Sequence, residues 1–147
     1  MDPGPKATSQ WTEIRLENKS KSGTLVIDDI KLVWGKIYAE GNPNGDDVPI
    51  SDVNGTEIKP GKHYIFRSCG RANSSSGTEG NFNLKSNGTV DKNVYWDSPW
   101  GVGANKLAVS SPQGQEPEWG YEITLFGGAG SSSGPLGNVT IEFRLYA

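Results

Sequence analysis

The chain has 147 residues, 14 Lys and Arg against 17 Asp and Glu for a net charge of −3, and 33% hydrophobic residues beside 20 Gly and five Trp. That length suits one domain, a chain of this size buries roughly two-thirds of its extended surface without a staple, and few aliphatics among many Gly, Ser, Thr and Asn point away from a helical bundle. The acidic balance argues against nucleic acid and against a polybasic membrane anchor, while Cys69 as sole cysteine excludes an intrachain disulfide and a four-ligand Cys/His zinc site.

In chain order, residues 1–10 read as a flexible tail and 11–147 as the domain. Met1-Asp2-Pro3-Gly4-Pro5-Lys6 lacks the apolar stretch of a secretory signal. No run approaches the ~18 apolar residues of a spanning helix. Ile14 and Leu16 alternate with Glu13, Arg15 and Glu17 as in a half-buried strand. Residues 25–27 continue after a turn, then Ile30, Leu32 and Trp34 alternate, with Gly35 marking a bulge or bend. Residues 41–47 form a polar loop, and Asn54-Gly55 and Pro60-Gly61 are turn dipeptides. Residues 63–68 read as a strand, 72–80 as a loop, and Asn87-Gly88 as a hairpin signal. Strands follow at 94–96, 107–109 and 121–126, then a Gly/Ser loop over 127–135. Val139, Ile141, Phe143 and Leu145 form the cleanest alternation. Eight or more short strands without a capped amphipathic helix predict an all-β, single-domain antiparallel sandwich or barrel.

Catalytic and metal patterns are weak. Gly130-Ser131-Ser132-Ser133-Gly134 matches the nucleophile elbow, but both flanks read as strand and the one His, His63, lies upstream. Six residues apart on one strand, His63 and Cys69 sit about 20 Å apart and share no proton. The loop from Glu40 to Asp46 lacks the leading Asp and twelfth-position Glu of a calcium loop, leaving Asp46, Asp47 and Asp52 as a loose cation site at most. Glu116 and Glu118 read as solvated charge. Five Asn-x-Ser/Thr sequons, at Asn18, Asn54, Asn73, Asn87 and Asn138, are chance products of an Asn-rich β protein.

The aromatic residues carry more. Tyr95-Trp96-Asp97-Ser98-Pro99-Trp100-Gly101 packs three aromatics into six residues, with a turn expected between Trp96 and Trp100. Trp34-Gly35-Lys36-Ile37-Tyr38 is a second cluster. Trp11 and Trp119 suit core as well as surface. Trp100, following Pro99 at a turn tip, suits a membrane interface or a sugar ring, so a carbohydrate-binding module or a small β-sandwich glycosidase stands beside a membrane binder.

Trp34-Gly35-Lys36, Cys69-Gly70-Arg71, Gly77-Thr78-Glu79-Gly80-x-Phe82-x-Leu84, Tyr95-Trp96-Asp97-x-Pro99-Trp100-Gly101 and Gly134-x-Leu136-Gly137-x-Val139-Thr140, in this order over roughly residues 10–145, resemble the aegerolysins. The resemblance implies an actinoporin-like β-sandwich without enzymatic activity, cofactor or metal. It implies binding of sphingolipids, such as ceramide phosphoethanolamine or sphingomyelin with cholesterol. It further implies a larger partner with a membrane-attack-complex/perforin domain, a monomer in solution that clusters on membranes, and action at target cell membranes, insecticidal in some pairs. Secretion without a conventional signal peptide, or release from the cytoplasm, is a further expectation that the resemblance adds. The lipid-binding residues implied are Trp34, Arg71, Glu79, Tyr95, Trp96 and Trp100. Three positions depart from family patterns: Ser98 replaces a frequent cysteine, Gly103 a lysine of some relatives, and Ser76 a glutamate tied to sterol-dependent sphingomyelin recognition in one branch.

Overall fold

Period-two alternation resolves into ten strands in a computed structural model that describes residues 10–71, 76–86, 89–99, 104–111, 119–125 and 135–145. The strands are β1 (Trp11–Asn18), β2 (Leu25–Trp34), β3 (Lys36–Ile37), β4 (Glu57–Ile58), β5 (His63–Cys69), β6 (Thr78–Ser86), β7 (Thr89–Ser98), β8 (Lys106–Ser110), β9 (Trp119–Leu125) and β10 (Gly137–Leu145). They make two five-stranded sheets, ordered β3-β5-β1-β10-β9 and β4-β2-β6-β7-β8. Alternate residues from each inner face meet between the sheets, as in other sandwiches. Ile14, Phe66 and Ile141 from the first sheet and Ile27, Phe82 and Trp96 from the second are all fully buried. Phe66, Phe82 and Trp96 pack as tilted rings with centroids 4.9–6.2 Å apart, a geometry that suits the aromatic quadrupole.

The structure departs from the expected pattern in five places, the first being that β6 begins at Thr78, inside the expected 72–80 loop. β1 and β10 pair in parallel, Ile14 beside Val139 and Leu16 beside Ile141, whereas the other ladders are antiparallel. Alternation looks the same in either direction, so it carried no sign of this. One helical turn, α1 (Ile50–Val53), follows Pro49 and buries Val53, too short to show a helical period. Gln10, assigned to the tail, is 8% exposed, and its carbonyl accepts the Gly70 N–H. Asn18, read as a sequon, is fully buried; its amide donates to the carbonyls of Gly23 and Ile58, tying the turn before β2 to β4.

β2 carries the feature that shapes the site. Its register against β6 shifts between Asp28 and Lys31 and again between Leu32 and Trp34. Each shift inserts one extra residue and reverses which later side chains face inward. Asp29 sits at the first with φ of 53°, and its carboxylate accepts from Asn83 while pairing with Lys85. Gly80 faces the bulged strand: a Cβ there would lie 2.2 Å from the Lys31 carbonyl oxygen. After Trp34 the chain crosses from the second sheet to the first at Gly35, with φ of 92°, where a Cβ would sit 2.5 Å from the Cys69 carbonyl oxygen and 2.9 Å from Thr78.

Gly35→Ala therefore meets both a left-handed backbone and two immovable neighbours, and it should cost about 3 kcal/mol of stability. Urea unfolding of the two proteins checks this; a loss under about 1 kcal/mol, the ordinary glycine-to-alanine scale, would show that the crossover tolerates a side chain.

Candidate functional site

At the crossover end of the sandwich, Trp34, Ser76, Gly77, Thr78, Glu79, Asp97 and Pro99 line an open cleft of about 280 Å³. Three strands build it. Trp34 ends β2, Thr78 and Glu79 open β6, and Asp97 lies near the end of β7. Register places Trp34 opposite Glu79 and Glu79 opposite Asp97. The Trp34 indole is 54% exposed. The titratable groups among the lining residues are two carboxylates.

Tyr95 stands on the same outer face and donates its hydroxyl to Glu79 Oε2 at 2.5 Å. Burial, the bond to Glu79 and the nearby Asp97 push the Tyr95 phenol well above its ordinary range, so it stays a neutral donor. Asp97 is also raised, first by burial and then by the Glu79 charge, with Lys106 opposing. The cleft thus concentrates negative charge beside an exposed indole, an arrangement that attracts a cation through both the carboxylates and the ring face.

Beneath the cleft runs a buried relay of hydrogen bonds. Trp96 Nε1–H donates to Thr78 Oγ1 at 2.9 Å, the Thr78 and Ser68 hydroxyls are 2.5 Å apart, and Ser68 Oγ–H donates to the Lys36 carbonyl at 2.8 Å. Because Ser68 spends its proton on Lys36, Thr78 must donate to Ser68, so every donor points one way. Such ordered chains polarise one another.

The sequence-derived residues thus divide. Trp34, Glu79 and Tyr95 share the outer face of the cleft. Trp96 does not join them: it is fully buried against Phe66 and Phe82, so its indole forms the floor and offers no surface to a ligand. The physical reason is parity. β7 continues as strand to Ser98, so Trp96 points inward between the outward Tyr95 and Asp97, and the strand runs unbroken through the start of the expected turn. Arg71 is half-exposed and reaches Asp47 at 2.8 Å, away from the cleft lining. Trp100 and Gly103 lie outside the described residues, as do the serine-glycine elbow pattern, Glu116 and Glu118. Ser76 lines the cleft.

Other sequence candidates separate in space. His63 and Cys69 occupy opposite ends of β5, the first exposed and the second buried. Burial pushes the Cys69 thiol up to about 11, and its Sγ lies 3.7 Å from the Pro43 carbonyl oxygen. Ser98, at the position of a frequent cysteine, is fully buried; it donates to Gln10 Oε1 at 3.2 Å and accepts from the Leu136 N–H at 3.1 Å. Among the described residues no three His, Cys, Asp or Glu side chains converge on a metal position. Thr78 and Asp97 stand inside the motifs quoted from the sequence but are not singled out there as site residues. Alternation in the motif Thr78-Glu79-Gly80 was the one available signal, since it sets Glu79 apart from its two inward neighbours.

Two variants test this site. Thr78→Val strands the Trp96 N–H and the Ser68 acceptor, and should lower stability by about 2 kcal/mol in urea; an unchanged midpoint would mean that the relay contributes nothing. Asp97→Asn tests the acidic cleft. A raised folded-state pKa makes the ionised carboxylate costly to hold, a cost present at neutral pH that disappears as pH falls below the ordinary aspartate value. The variant should therefore melt above the parent at pH 7 and level with it in strong acid; melting below the parent at pH 7 would contradict this.

The comparisons with known proteins agree with this architecture. A family profile described as Aegerolysin matches residues 9–145. Aegerolysin Aa-Pri1 of Cyclocybe aegerita is 36% identical over 140 residues, covering 93% of this chain and 91% of that protein. Ostreolysin A6 of Pleurotus ostreatus is 34% identical over 139 residues, covering 92% and 95%. Asp-hemolysin of Aspergillus fumigatus is 34% identical over 137 residues, covering 93% and 94%. The crystal structure of RahU protein, in complex with a TRIS molecule, superposes with a TM-score of 0.83 at 27% identity, covering 96% of this chain and 98% of that one. That of IP-1A from Alcaligenes faecalis gives 0.81 at 31%, covering 97% and 95%. A match across nearly the whole length and two sheets stacked as in these structures together place the chain in the aegerolysin family of non-enzymatic, lipid-binding, haemolysin-like proteins.

Proposed function

We propose that the cleft end of the sandwich recognises a sphingolipid headgroup, of ceramide phosphoethanolamine or of sphingomyelin with cholesterol, and that the protein targets a perforin-like partner to that membrane. The observation that carries this reading is the exposed Trp34 indole beside the Glu79 and Asp97 carboxylates. Both headgroups end in an ammonium, which suits an aromatic face flanked by negative charge. The protein then acts at target cell membranes. Docking carries the mechanism. No helix among the described residues is long and apolar enough to cross a membrane, and a partner would supply the pore.

Magnitudes show why several contacts are needed. Burying the exposed half of one indole removes on the order of 100 Å² of apolar surface, about 2.5 kcal/mol at 25 cal/mol/Å². Micromolar binding takes about 8 kcal/mol, before the entropy of docking. Trp100, other apolar area and clustering of many copies would supply the remainder, with Arg71 at the same end of the molecule as a further headgroup contact.

Sedimentation with vesicles of ceramide phosphoethanolamine, sphingomyelin plus cholesterol, or phosphatidylcholine alone tests the reading; binding should favour one of the first two. Trp34→Ala and Trp100→Ala should each weaken it by about 2 kcal/mol or more while leaving the melting temperature nearly unchanged. Dye release should require a perforin-like protein. Equal binding to all three vesicles, or leakage by this protein alone at the same concentration, would defeat the proposal.

A further inference from the structure

Among the described residues, three large apolar side chains are exposed: Val33 and Trp34 at 54% each, and Tyr121 at 45%. Tyr121 donates its hydroxyl to the Val109 carbonyl. The other two are neighbours in sequence, which a regular strand does not allow, because consecutive side chains point to opposite faces. The second register shift of β2 explains the pair. Leu32 lies opposite Gly80 and Trp34 opposite Glu79, so Val33 is the extra residue with no partner position on β6.

Parity then settles where Trp34 goes. Without the bulge, Trp34 would stand two places from Leu32 and fall opposite Thr78, which is 1% exposed and points into the sandwich. One inserted residue instead sets it beside Glu79 on the outer face. The arrangement is bounded on both sides by positions that accept only glycine: Gly80, where a Cβ would strike the Lys31 carbonyl, and Gly35, where it would strike that of Cys69. A bulge so confined, which turns two apolar groups toward water, makes sense only if something apolar covers them.

We propose that Val33 is a membrane-contacting residue, and that the bulge at Val33 builds with Trp34 a two-residue apolar wedge that enters the lipid interface. This deepens the reading of the cleft as a lipid-headgroup site and rests on it. The occupant is a bilayer surface, because the wedge is continuous with that cleft, and the Glu79 and Asp97 carboxylates at its shoulder limit insertion to the interfacial depth. Apolar contact from Val33 adds affinity without headgroup chemistry, so it should act alike on each vesicle type that the protein binds.

The test uses the same three vesicle compositions and two kinds of variant. Val33→Asp should lose about tenfold or more of vesicle affinity with an unchanged melting temperature, and Val33→Leu should bind like the parent. For the second, an environment-sensitive dye is attached to a Val33→Cys variant and, at the opposite end of the sandwich, to a Ser22→Cys variant. Cys69 is buried with its thiol held at about 11, so the reagent takes the introduced site. The dye at position 33 should shift to the blue on vesicles, and that at position 22 should not. If the parent binds vesicles while Val33→Asp binds within about twofold of it and the dye at position 33 stays in water, the wedge is overturned and the headgroup site stands. If the parent binds none of the three vesicles, both fall. If Val33→Asp melts early, the dye alone decides.

Discussion

The relay Trp96 to Thr78 to Ser68 to the Lys36 carbonyl is the interaction around which this end of the molecule is organised. It joins β7 and β6 of one sheet to β5 and β3 of the other through fully or nearly fully buried groups. Each unpaired member would carry the full desolvation penalty of a buried polar atom, so the relay admits one register between the sheets. Its last acceptor is the residue after Gly35, at which the chain crosses between sheets. The position of Trp34, one residue before that glycine, is therefore set by a hydrogen-bond chain it does not join.

The same constraint explains how the site divides its labour. Trp96 belongs to the core, filling the space below Gly80 with its ring and satisfying Thr78 with its nitrogen. Tyr95 and Asp97, on either side of it along β7, are turned outward by the pleat and meet Glu79. A rigid aromatic floor thus holds two carboxylates and a neutral phenol at fixed spacing, while the bulged end of β2 places an indole alongside. Preorganisation of this kind reduces the entropy lost on docking, which matters for a protein whose partner is a mobile lipid surface.

The far end of the sandwich is held by different means. Asn18 donates to the turn before β2 at Gly23 and to β4 at Ile58. Back at the cleft end, Ser98 joins Gln10 to Leu136, so the start of the domain and the segment entering β10 are pinned to the end of β7. These bonds let β1 and β10 lie side by side as a central parallel pair.

Much of the fold was legible in the sequence, because burial on one face of a strand writes itself as alternation. Ile14 and Leu16, Phe82 and Leu84, and Val139, Ile141 and Phe143 all point inward as their spacing indicates. The motifs around Trp34, Cys69, Glu79 and Trp96 identified the family and hence lipid binding. What the sequence did not decide is which member of each pair faces out. Trp34 continues the inward series of Ile30 and Leu32, yet it is exposed; Trp96 sits in the richest aromatic cluster, yet it is core. Both outcomes depend on strand register, and β2 owes its register to two inserted residues that only pairing with β6 reveals. Alternation is a property of one strand, whereas a bulge is a mismatch between two, so its consequence for a side chain exists only once the strands are together.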